Sequence, residues 1–67
     1  MTKFAERLKE LREEKMLTRA ELAKEIGTSD RAVGRWETNQ RIPNIETLVI
    51  IAKYFGETTD YILGLED

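Results

Sequence analysis

Apolar residues recur along this chain at helical intervals, broken by glycine and a single proline, and no stretch alternates in the manner of a strand. The pattern predicts an all-α chain of five short helices. Phe4, Leu8 and Leu11 stand at i, i+4 and i+7 with Ala5 beside them, so a helix over residues 3 to 15 buries one stripe. Met16 and Leu17 are expected to close it against the next element. Thr18 followed by Glu21 fits a capping box that opens a second helix, with Leu22, Ala23 and Ile26 inward and Gly27 as its left-handed stop. Ser29 caps a third helix from Asp30 to about Thr38, carrying Val33 and Trp36 inward, after which Asn39 suits a left-handed position. Residues 38 to 44 read as a loop, because Pro43 cannot continue a helix. Asn44 caps a fourth helix with Ile45, Leu48, Ile51, Ala52 and Phe55 as its apolar face, ended by Gly56; Thr58 caps a fifth with Tyr61, Ile62 and Leu63. Leu63 to Asp67 reads as a tail or the start of a linker.

At 67 residues the chain holds one domain, because two cores would leave each half too short to fold unaided. With 40% hydrophobic and 36% charged residues it belongs among globular domains rather than disordered chains. It has no cysteine, so packing alone must stabilise a small core, and a reducing, cytoplasmic setting suits it. No membrane-length apolar run or signal-peptide core is present. The absence of histidine, cysteine, a glycine-rich phosphate loop and a paired-carboxylate cleft argues against an enzyme, a metal site or a cofactor.

The net charge of −2 weighs against a nucleic-acid partner, but its distribution is uneven. Residues 1 to 41 hold ten Lys/Arg against eight Asp/Glu, whereas residues 42 to 67 hold one against five. The first two thirds are therefore mildly basic, which permits contact with DNA through one face.

Two short helices joined by a tight, glycine-containing turn, here Thr18 to Thr38, have the geometry in which the second helix enters a major groove. The residues resemble the phage Cro and repressor family, the XRE-like helix-turn-helix domains. The matching positions are Leu11-Arg12, Leu17-Thr18, Glu21-Leu22-Ala23, Gly27-Thr28-Ser29, Val33, Trp36-Glu37, Pro43, Leu48, Ile51-Ala52, Gly56 and Leu63, spanning about residues 4 to 64. The resemblance implies a five-helix lambda-repressor-like fold that binds an operator in double-stranded DNA and regulates transcription, usually as a homodimer.

On that reading the outer positions of the third helix, Asp30, Arg31, Gly34 and Arg35, face the bases. Arg31 and Arg35 lie one turn apart, and a guanidinium fork matches guanine O6 and N7. Asp30 either accepts from a cytosine amino group or complements the helix N-terminus and orients an arginine. Gly34 either allows close backbone approach or leaves one base unread. Phosphate contacts are expected from Arg19, Thr28, Ser29, Asn39, Gln40 and Arg41, at helix ends and in a loop with unpaired amides. The family carries glutamine where Arg19 stands, which puts its bracing of the third helix in question. Glu37 is expected to pair with Arg12, as in the family, and Trp36 to lie in the core rather than stack on a base.

Val49 and Ile50 widen the apolar face of the fourth helix, either as extra core or as contact with a second copy that Tyr61 and Leu65 share. Glu57 stands where the family favours an apolar residue, so the fifth helix is expected to pack less firmly. A protein-binding module with the same five helices is the competing reading: the acidic total charge favours it, whereas Arg19, Arg31, Arg35 and Arg41 on one face favour DNA.

Overall fold

In the computed structural model, which describes residues 2–66, five helices follow in chain order and no strand occurs among the described residues. The first, α1 (Phe4–Glu14), buries Phe4, Ala5, Leu8 and Leu11, the stripe read from the sequence. Its exit differs from expectation. Met16 adopts a left-handed φ of 58° and is 89% exposed, so it contributes no closing contact. The amide of Leu17 instead bonds the Arg12 carbonyl at 3.1 Å, and its half-buried side chain packs against the core.

The next two helices form the central hairpin. In α2 (Arg19–Ile26) the Thr18 hydroxyl accepts from the Glu21 amide at 3.0 Å while the Glu21 carboxylate accepts from the Thr18 amide at 2.8 Å. The Thr18 amide, and after it the Thr18 hydroxyl, hold the Glu21 carboxyl below its ordinary pKa. Gly27 ends α2 at φ 78°, a conformation that costs a residue with a Cβ, and the chain turns directly into α3 (Asp30–Glu37). There the Ser29 hydroxyl accepts from the Ala32 amide, and Val33 and Trp36 point inward. Asn39 takes the left-handed position expected of it, at φ 61°.

Asn44 caps α4 (Ile45–Phe55) through the Thr47 amide at 2.8 Å, and Thr58 caps α5 (Thr59–Leu63) through the Tyr61 amide at 2.9 Å. Of the expected apolar face of α4, Ile51 and Ala52 are buried and Leu48 and Phe55 half-buried, but Ile45 is 80% exposed. Rather than entering the core, Ile45 lines an open recess of about 180 Å³ with Thr2, Phe4, Ile42, Pro43, Leu48 and Leu63.

Leu8, Leu22, Val33, Ile51 and Ile62, drawn from all five helices, form the fully enclosed centre. Truncating a large aliphatic side chain at such a site to alanine costs ~2–5 kcal/mol, a large part of a small domain's stability. The fifth helix is anchored by Ile62 and by Arg7 of α1. Ile62 is fully enclosed, and the Arg7 guanidinium bonds the carbonyls of Tyr61 at 2.7 Å and Glu66 at 3.1 Å while lying 4.2 Å from the centre of the Tyr61 ring. Residues 64–66 likewise fold back: Gly64 is left-handed, the Leu65 amide bonds the Asp60 carbonyl at 2.8 Å, and the Thr58 hydroxyl bonds the Glu66 carboxylate. These bonds tie the expected tail to α5 as far as residue 66; Asp67 lies outside the described residues.

Candidate nucleic-acid interface

The sequence of α3 divides it into two sides. Val33 and Trp36 fix one side in the core, which turns Asp30, Arg31 and Arg35 outward. None of these three side chains has a hydrogen-bond or ion-pair partner among the described residues. Arg31 and Arg35 lie with Arg41, Ser29, Ala32, Trp36 and Ile42 around one open recess of about 200 Å³. Three arginines thus line one recess whose walls are partly apolar, although Arg41 lies beyond the end of the helix. The Trp36 side chain is 7% exposed and belongs to the core cluster.

Glu37, at the end of α3, would place a negative charge beside these arginines, but its carboxylate is enclosed and doubly paired. Arg12 Nε donates to Glu37 Oε2 at 2.7 Å and Arg12 Nη2 to Oε1 at 3.0 Å, the two-pronged geometry that suits guanidinium and carboxylate. Arg12 Nη1 also donates to the Leu17 carbonyl at 2.8 Å, tying the α1–α2 corner to the same network. The Glu37 bond raises the Arg12 pKa against the opposing effect of burial, so the guanidinium stays charged.

Arg19 completes the network from α2: its Nε donates to Glu37 Oε1 at 3.1 Å. The bracing left in question by the loss of glutamine is present, made to the far end of α3 by a longer side chain. Two arginines and one carboxylate leave this network with one net positive charge.

The loop after α3 differs from its reading. The amides of Asn39, Gln40 and Arg41 are not free: they bond the carbonyls of Trp36 and Arg35 at 2.9 to 3.3 Å. The Thr28 amide is likewise held by the Ala23 carbonyl. Any anion contact from these residues must come from side chains. Asn39, Gln40 and Arg41 are exposed and Thr28 is half-buried, while Gln40 donates to the Thr38 hydroxyl and the Ser29 hydroxyl accepts from the Ala32 amide as its cap. Of the residues read as contacts with a second copy, Ile50 and Leu65 are exposed, but Tyr61 is half-buried under Arg7.

The short α2–α3 hairpin, the outward arginines of α3 and the three packing helices define a helix-turn-helix domain of the lambda-repressor-like fold. A family model described as helix-turn-helix matches residues 8–62, and the chain belongs to that family in its XRE-type, phage Cro and repressor branch. It is 39% identical over 64 residues to the HTH-type transcriptional activator BcrR of Enterococcus faecalis, covering 96% of this chain and 31% of that protein. It is 38% identical over 64 residues to the transcriptional regulator YobD of Bacillus subtilis, covering 96% of this chain and 57% of that one. The chain thus spans from just under a third to somewhat over half of these curated relatives. Among solved structures, the phage P22 c2 repressor in complex with a synthetic operator superimposes with a TM-score of 0.88 at 30% identity, covering 94% of this chain and 96% of that one. These relatives are regulators rather than enzymes.

Proposed function

We propose that this chain reads double-stranded DNA as the operator-binding domain of a transcriptional repressor, with α3 in the major groove. The observation that carries the reading is the pair Arg31 and Arg35: exposed, one helical turn apart, without a partner among the described residues, and beside a Glu37 already neutralised by Arg12 and Arg19. Similarity to a repressor solved on its operator supports it. Phosphate contacts fall to the side chains of Arg41, Gln40, Asn39, Thr28 and Ser29, and occupancy of a site overlapping a promoter excludes polymerase.

Selection of bound duplexes from a random library at moderate salt tests the reading. Enrichment of a near-palindrome is the expected result, with affinity falling steeply as salt rises and with a shallower slope for Arg41→Ala. No enrichment at concentrations well above micromolar would instead favour a protein-binding module.

A near-palindrome requires two copies, with their α3 helices roughly 34 Å apart in successive grooves. The dimer contact we propose is the Ile42–Ile45 edge rather than the outer face of α4. Both residues are more than three-quarters exposed, they rim the apolar recess above Phe4 and Leu63, and Ile42 also borders the arginine recess. Ile45→Glu is expected to convert two-copy occupancy of the selected duplex to one copy in analytical ultracentrifugation. Unchanged stoichiometry would move the contact elsewhere.

A further inference from the structure

Arg19 opens α2, but its side chain crosses onto the outer side of α3. A Cβ built on Gly34 would stand 3.4 Å from Arg19 Nη1 and 3.9 Å from its Cδ and Cζ. The arginine therefore lies over the one outward position of α3 that has no side chain. Glu37 holds it there through Nε, and neither Nη1 nor Nη2 makes a hydrogen bond among the described residues. The side chain is 43% exposed.

That arrangement leaves unpaired the end of the guanidinium that presents two parallel donors. A phosphate is served equally by lysine, whereas guanine O6 and N7 are matched better by two donors in a fixed plane than by the rotating ammonium of lysine. Anchoring through Nε sets that plane before binding, so less side-chain freedom is lost on contact.

We propose that Arg19 is a third base reader, donated by α2 into the place left by Gly34 and positioned by Glu37, with guanine as its partner. The role as a phosphate contact read from the sequence gives way to this one. The inference rests on the reading of α3 as the groove element. A Cβ at 34 would make ordinary contact with the arginine, whereas a side chain reaching past it would compete for the same space.

Arg19→Lys separates the two roles, because lysine keeps the charge and loses the fork. Library selection with the wild type and this variant should give motifs that differ at one guanine, where preference falls about fivefold or more, while affinity for random DNA and its salt dependence are retained. Gly34→Leu, which leaves Arg19 in the chain but occupies its seat, should weaken the same position. Thermal melts check that both variants are folded. An Arg19→Lys motif identical to the wild type, or equal losses on the selected and random duplexes, would overturn base reading by Arg19. A wild type that enriches no sequence would remove the DNA reading itself and this inference with it.

Discussion

Replacing Arg12 with alanine is expected to lower the melting temperature by roughly 12–24 °C, taking a loss of ~3 kcal/mol and 4–8 °C per kcal/mol for a domain of this size. The Glu37 carboxylate is enclosed, and Arg12 supplies two of its three hydrogen bonds. Removing one member of such a group strands the other in a poorly solvated place, which commonly costs ~3–5 kcal/mol. The lower end applies here because Arg19 remains. Alanine at position 12 also leaves the Leu17 carbonyl without the guanidinium donor that ties the α1–α2 corner. Adding Glu37→Ala should recover part of the loss, since the stranded charge then disappears. Melts followed by circular dichroism decide the matter: a change of only a degree or two in Arg12→Ala would show that the network does not hold α3 in place.

Arg31→Ala and Arg35→Ala should act oppositely, leaving the melt nearly unchanged and altering only recognition. Each side chain is exposed and bonded to nothing else among the described residues, so its removal disturbs no packing. On the selected duplex each variant should bind roughly 5- to 150-fold more weakly, the equivalent of ~1–3 kcal/mol for a guanidinium on guanine. On random duplexes the loss should be small. The two substitutions should blur different base pairs, because the residues are one turn apart on α3. Titrations of both duplexes at one salt concentration measure this, and equal losses on both would remove the residue concerned from base reading.

Most of the helix framework was legible because its signals are local. Thr18, Ser29, Asn44 and Thr58 each cap through an amide three residues on, and Gly27, Gly56 and Asn39 take left-handed conformations that such residues favour. The grouping of Arg31 with Arg35 follows equally from helical spacing. What escaped the sequence depends on long side chains and on how turns close. Arg7 reaches carbonyls 54 and 59 residues away, and Arg19 reaches a carboxylate 18 residues on. A flexible arginine has too many rotamers for spacing to specify its partner. The turn at Met16 had no glycine to mark it, and the loop amides that promised anion contacts close the end of α3 instead. Ile45 shows the limit of periodicity, which identifies an apolar stripe but not where the neighbouring helices stop covering it.

The division of labour on α3 has an evolutionary corollary. Its inward residues and Glu37 secure the helix, while the side chains of Asp30, Arg31 and Arg35 form no bond on which the fold depends. Those three positions are free to diverge, so a lineage can acquire a new target without passing through unfolded ancestors. Gly34 is the exception, because a side chain longer than alanine there would meet the Arg19 guanidinium. In descendants of this chain, those two positions should vary as a pair.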